Sequence, residues 1–272
     1  MTETNNDTGS TSTSNSSVLY EVNDNVAVIT LNRPERLNAW NGELGTAYFN
    51  ALDRAEADPE VKVIVVTGAG RGFCAGADMD VLQGIQSGGQ SGEPDRRDAT
   101  YVLGIKKLVI AAVNGACAGL GFVHAVACDL RFAAEGAKFT TAFSRRGLIA
   151  EHGVSWTLPR LVGQAVAIDL LASGRVFLAE EAKEMGVVNK VFPAESLLAE
   201  TLAYARDVAA NVSPTSIAVI KEQVYNHPGM AIADAMTESN EFMRASLKRS
   251  DFKEGVASFL EKRPPMFEPF TG

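Results

Sequence analysis

The sequence predicts an α/β fold with parallel strand pairing and an all-helical C-terminal quarter. Three observations carry this. Short β-branched runs at 26–31, 61–67 and 107–113 read as buried strands. Helical spacing and glycine-rich turns separate them, which is the alternation of a parallel sheet. From about Ser196 onward the apolar residues keep helical spacing.

The elements follow in order. Residues 1–17 are mostly Ser, Thr and Asn and bury no apolar surface, so they are expected to be a disordered tail. Order is expected from about Val18. Asn32-Arg33-Pro34 ends the first strand run. Leu44, Tyr48, Ala51, Leu52 and Ala55 then share one helix face over 41–57. The run 61–67 closes on Gly68-Ala-Gly70-Arg-Gly72. Residues 84–98 are rich in Gly, Ser and charge and read as a mobile loop or frayed helix. The run 107–113 ends at Asn114-Gly115, a buried helix is expected over 119–128, and a short strand over 130–133. Helices are expected over 197–211, 214–225, 232–248 and 251–262. The chain thus divides into a tail (1–17), a core (18–195) and a helical region (196–272).

Composition narrows the function. The chain has 272 residues with 33 acidic and 25 basic side chains, a formal net charge of -8. That balance argues against nucleic acid as partner, which demands a basic face. A few local cations still suffice for one phosphorylated ligand. No apolar run is long enough to span a bilayer, so no membrane partner is expected. The N-terminus lacks the basic and apolar stretches of a signal peptide. Three cysteines, Cys74, Cys117 and Cys128, are too few for a disulfide framework and suggest reduced thiols in a cytoplasmic protein. The three histidines, His124, His152 and His227, are scattered, and no metal-ligand spacing occurs. The Gly68–Gly72 cluster misses the dinucleotide fingerprint, since Phe73 stands where the third glycine belongs.

Two other glycine-rich turns follow buried strands: Gly72-Phe-Cys-Ala-Gly-Ala-Asp-Met79 and Asn114-Gly-Ala-Cys-Ala-Gly-Leu-Gly121. Small residues permit close backbone approach. If both turns face one pocket, each can aim an N–H at the same oxygen and stabilise charge developing on a carbonyl. Taken singly, each cluster is explained as tight packing. Together with Leu31-Asn-Arg-Pro-Glu-Arg-Leu-Asn-Ala39, with 113–129, and with Leu158–Gly163, Ala179–Pro193 and Phe252–Arg263, they run in order along nearly the whole chain. In these motifs the sequence resembles the enoyl-CoA hydratase/isomerase (crotonase) superfamily.

The resemblance implies a crotonase-like spiral of ββα units with a C-terminal helical part that mediates trimerisation, as a homotrimer or a dimer of trimers. It implies an acyl-CoA thioester as substrate, with coenzyme A part of that substrate and no separate cofactor. By motif position, the N–H groups of Ala77 and Leu120 form the oxyanion hole. Main chain near Arg36 and Leu37 follows the pantetheine arm, and Ala75 and Met79 lie near the adenine. Phe259 and Lys262 match positions that reach the CoA nucleotide from the same or a neighbouring subunit.

The sequence also departs from the pattern. The family's hydratases carry two catalytic glutamates, and counting along the motifs puts them at Val123 and Phe143. Neither side chain can carry a proton, so syn-hydration lacks its acid and base. Glu151 is the carboxylate left in that neighbourhood, in a stretch resembling Δ3,Δ2-enoyl-CoA and epoxide-type phenylacetyl-CoA isomerases. One base suffices for a 1,3-proton shift. Burial against Val123, Phe143 and Trp156 would strengthen it. The alternative is a helix N-terminal acid beside the dipole. His152 reads as structural because adjacent helical residues face different ways. His124 reads as a hydrogen-bonded core histidine. Either could assist as an auxiliary group. Asp78 reads as a cap, and Cys74 and Cys117 as packing. Three functions stay open: an isomerase using Glu151, a hydratase or thioester hydrolase using Glu151 and water, and a non-catalytic acyl-CoA-binding protein.

Overall fold

The computed structural model describes residues 16–87, 95 and 97–270; residues 1–15 of the expected tail (1–17) and 88–94 and 96 of the expected loop lie outside them, whereas Ser17 is buried and its carbonyl accepts from the Asn32 N–H at 2.7 Å, so order starts ahead of Val18. Two sheets form. The first holds β1 (Val18–Asn23), β2 (Val26–Leu31), β3 (Val63–Gly68), β5 (Leu108–Val113), β7 (Leu130–Ala134) and β10 (Lys190–Phe192), in that spatial order. β1 is antiparallel to β2, and every later pairing is parallel. Asp24 and Asn25 join β1 to β2 with φ of 51° and 62°, the left-handed pair a two-residue hairpin requires. β3 is buried along its whole length, as its unbroken apolar run demands for a strand covered on both faces.

The second sheet is small: β4 (Gly72–Cys74), β6 (Ala116–Ala118), β8 (Lys138–Thr140) and β9 (Phe177–Leu178). β4, β6 and β8 run parallel. Helix α1 (Gly42–Ala57) starts at Asn41, whose side chain accepts from the Leu44 N–H at 2.9 Å. It buries Leu44, Tyr48, Phe49, Leu52 and Ala55. Two short helices follow, α2 (Met79–Gln86) and α3 (Leu120–Ala127). All of α3 beyond Leu120 is buried, so it is apolar nearly all round. Next come α4 (Val154–Ser173), α5 (Ala179–Glu184) and α6 (Leu197–Asn211). α6 lies on β2, β3, β5 and β7, so the helical region begins by completing the core.

The last helices are α7 (Pro214–Asn226), α8 (Ile232–Ser246) and α9 (Ser250–Glu261). Their apolar residues Ile232, Met236, Met243, Phe252, Phe259 and Leu260 are exposed. No helix among the described residues is long and apolar enough to cross a membrane.

One buried ion pair ties α7 to the first sheet. The Asp129 carboxylate accepts from Lys221 Nζ at 2.6 Å, the Tyr225 hydroxyl at 2.7 Å and the Val109 N–H at 2.7 Å. Lys221 also donates to the Lys107 carbonyl at 2.9 Å. Removing one member leaves the other charge buried and unpaired. Lys221→Ala is therefore expected to cost about 3–5 kcal/mol, read as a lowered midpoint in urea denaturation.

Candidate active site

Parallel pairing of β4 with β6 brings their following turns to the same end of the small sheet. Gly76 has φ of 100° and Gly119 φ of 50°. A Cβ at Gly76 would sit 3.0 Å from the Ala118 carbonyl oxygen and 3.7 Å from Gly119 Cα. The two turns therefore meet backbone to backbone. Trp40 fixes the first one: its N–H donates to the Gly76 carbonyl at 2.7 Å, and its carbonyl accepts from Asp78 N–H at 2.8 Å. In that parallel bridge the Ala77 N–H belongs to the opposite edge. Leu120 opens α3, so its N–H is among the helix-start donors with no intrahelical acceptor. The structure thus supplies one uncommitted donor direction on each turn.

Beneath the turns lies a polar support that the sequence did not assign. Asn38 is fully buried. Its Nδ2 donates to the Ala69 and Gly72 carbonyls at 3.0 and 2.8 Å, and its Oδ1 accepts from the Arg33 N–H at 2.8 Å. It clamps the end of β2 to the turn between β3 and β4. Asp78 pairs with Arg33 at 2.8 Å and accepts from the Asp80 N–H at 3.2 Å, near the start of α2. Burial pushes the Asp78 carboxyl up, but the Arg33 hydrogen bond, the Asp80 N–H and the nearby guanidinium charges outweigh it and hold the carboxyl below its ordinary range. Asp78 is thus a structural anchor, as its motif position suggested.

The residues expected along CoA fall into two groups. Leu37 carbonyl accepts from the Ala75 N–H at 3.0 Å, and Arg36 reaches Asp80 at 3.3 Å. Arg36, Leu37, Ala75, Ala77 and Met79 therefore share one region, with Met79 exposed at the start of α2. Phe259 and Lys262 stand at the end of α9, both exposed, and among the described residues no hydrogen bond or ion pair joins them to that region.

Val123 and Phe143 are both buried, so the two hydratase positions hold apolar side chains inside the protein. Glu151 lies in the loop ahead of α4, not on the helix, and its carbonyl accepts from the Val154 N–H at 3.0 Å. The expected burial of Glu151 against Trp156 does not occur. Glu151 is only half-buried and Trp156 is exposed. The physical reason is Arg160, one turn along α4, whose guanidinium covers the Trp156 ring at 3.8 Å.

His124 departs from the expected hydrogen-bonded core histidine. His124 is buried, but its Nδ1 has no hydrogen-bond partner among the described residues. Its ring stacks on Trp40 at 3.8 Å between centroids. Burial, with a smaller contribution from the His152 charge, pushes its pKa down to about 3. His152 is not helical, its backbone being left-handed with φ of 50°, and its Nδ1 lies 3.1 Å from Asp98 Oδ1. Both rings line a cavity of about 20 Å³, together with Trp40, Phe49, Arg97 and Leu120. The structure therefore joins Leu120, His124 and His152, while Glu151 does not line that cavity. Arg97 is held charged by Asp95, aided by Asp53, and packs over Phe49 and Tyr101. No group of three or more metal-ligating side chains occurs among the described residues.

The buried imidazole makes stability pH-dependent. His124 stays neutral in the fold down to about pH 3, while the unfolded chain takes up that proton below about 6.5. The unfolded state then binds more protons, so stability falls as pH drops from about 6.5 towards 3, by about 1.4 kcal/mol per pH unit. Denaturation of His124→Phe across that range should lack this component of the fall.

The enoyl-CoA hydratase/isomerase family model matches residues 21–269. The 1,2-epoxyphenylacetyl-CoA isomerase of Escherichia coli K12 is 36% identical over 257 residues, covering 92% of this chain and 97% of that protein. A probable enoyl-CoA hydratase/isomerase from Mycobacterium abscessus superposes with a TM-score of 0.85 at 34% identity, over 93% of this chain and 99% of that one. The enoyl-CoA hydratase EchA12_1 from Mycobacterium marinum is 51% identical, with a TM-score of 0.69 over 79% of this chain and 100% of that one. Relatives carry both reaction names, but the match spans residues 21–269, and this chain belongs to the enoyl-CoA hydratase/isomerase family.

Proposed function

We propose that this chain is an enoyl-CoA isomerase that moves a double bond through an enolate of the CoA thioester. The observation that carries the reading is the pair Val123 and Phe143: both are apolar and buried where a hydratase needs two carboxylates. The N–H groups of Ala77 and Leu120 hold the thioester oxygen and stabilise the charge that grows on it. Glu151 removes a proton from C2 of a 3-enoyl-CoA. The electron pair spreads over a dienolate, and the protonated acid returns the proton at C4. No water is consumed and no cofactor beyond the substrate's own coenzyme A takes part.

Arg36, Leu37, Ala75 and Met79 line the path of the CoA arm in this reading. Lys262 and Phe259 reach the nucleotide of a neighbouring copy, since they stand exposed at the end of α9 with no hydrogen bond or ion pair to their own chain's site among the described residues. The exposed apolar residues of α8 and α9 supply the surface for a trimer or a dimer of trimers. Three reduced, buried thiols fit a cytoplasmic setting. A second reading, hydration or thioester hydrolysis, is favoured by the half-exposed carboxylate of Glu151, which water can reach.

The test is to supply 3-enoyl-CoA and trans-2-enoyl-CoA separately and identify the products. Conversion of the first into the second, without 3-hydroxyacyl-CoA or free CoA, is the expected outcome. Rapid formation of 3-hydroxyacyl-CoA would establish the second reading instead. Glu151→Gln should lower kcat by about 100-fold or more, with little change in thioester binding.

A further inference from the structure

The cavity beside Leu120 joins features that the proton shift does not use. The His124 imidazole lines it, over nine-tenths buried, and neither ring nitrogen has a hydrogen-bond partner among the described residues. A buried polar group left unsatisfied is destabilising. The aromatic neighbours Trp40, Tyr48 and Phe49 contribute ring contacts to it, not hydrogen bonds. The cavity measures about 20 Å³, room for roughly one oxygen-sized group.

We propose that His124 reads an uncharged oxygen, a hydroxyl or carbonyl, on the acyl group of the substrate. The clause that places the acyl group here is the assignment of the Leu120 N–H to the thioester oxygen, so the inference rests on the function proposed above. The charge inventory selects the chemistry. Arg97 is already paired with Asp95 and Asp53. His152 is bonded to Asp98. His124 itself is neutral. Among the described residues, therefore, no unpaired positive charge lines this wall for a carboxylate. A neutral imidazole offers one N–H and one lone pair, which suits an oxygen that accepts or donates. A plain methylene placed there would leave the imidazole without a hydrogen-bond partner. An oxygen would restore the hydrogen bond, and the oxyanion donor on Leu120 puts that oxygen within a few bonds of the thioester.

The test is binding, so that it does not depend on turnover. Hexanoyl-CoA, 3-hydroxyhexanoyl-CoA, 3-oxohexanoyl-CoA and 4-oxohexanoyl-CoA are titrated calorimetrically into the wild type and into Glu151→Gln, the latter to suppress any reaction of the ligand. At least one oxygenated thioester should bind about ten-fold more tightly than hexanoyl-CoA, the size of one well-made buried hydrogen bond. His124→Phe should abolish that preference and His124→Gln should keep part of it. Equal affinities in the wild type, undetectable binding of every thioester, or a preference that survives His124→Phe would each overturn the proposal. A preserved preference with no double-bond shift would remove the isomerase reading and leave this one standing.

Discussion

The backbone contact between Gly76 and Gly119 is the constraint on which the rest of the site depends. Any side chain at 76 would lie 3.0 Å from the Ala118 carbonyl, on a backbone whose φ of 100° already excludes most residues. At Gly119 a Cβ would make only ordinary contacts, 3.7 Å from Gly76 Cα, so the close approach of the turns after β4 and β6 rests on the missing side chain at 76. That closure then has to be held. Trp40 does it from above through two backbone bonds. Asn38 does it from below by satisfying three backbone groups that would otherwise be buried without partners. Arg33 and Asp78 lock the exit of the first turn into α2. The site's donors are main-chain groups, but side chains far away in sequence set where they sit.

This division explains what could be read in advance. The runs at β2, β3 and β5, and the periodic faces of α1 and α6, are local signals long enough to survive any tertiary context. The second sheet is built of strands of two or three residues, too short to show a period of two. β1 escaped notice because it is an edge strand whose burial alternates imperfectly. In the site, the two glycine turns were legible as motifs because their chemistry is backbone chemistry. Asn38 and Arg33 sat in a recognised motif, but their partners lie roughly 30 to 45 residues away. No spacing rule reveals such a pairing. The same holds for Trp156, which pattern alone turned towards Glu151 and which Arg160 holds on the surface.

Charge shows a similar separation of scales. The net charge of -8 describes the whole chain, yet the cations near the site are individually committed. Arg33 is spent on Asp78 and Arg97 on Asp95 and Asp53. Arg36 makes only an exposed contact with Asp80 at 3.3 Å, a pair worth little in water. It can therefore turn to a phosphate at small cost, whereas Arg33 and Arg97 cannot. An acidic protein meets a polyanionic ligand this way, by leaving a few exposed cations loosely held.

The vacated hydratase position and the buried histidine are neighbours on α3, and helix geometry sets what that can mean. Successive residues on an α-helix point about 100° apart. Val123 and His124 therefore cannot present their side chains to the same atom of one bound acyl group. Moving a polar group from 123 to 124 does not restore the missing acid. It carries polarity around the helix, against the face of Trp40 and next to Phe49. There a low-dielectric wall keeps the imidazole neutral. A neutral imidazole with a buried nitrogen is poorly placed to shuttle protons at C2 but well placed to discriminate between ligands. The same stretch of α3 thus separates two proposed roles: its first residue supplies the N–H proposed to hold the thioester oxygen, and His124 is proposed to select the acyl group that accompanies it.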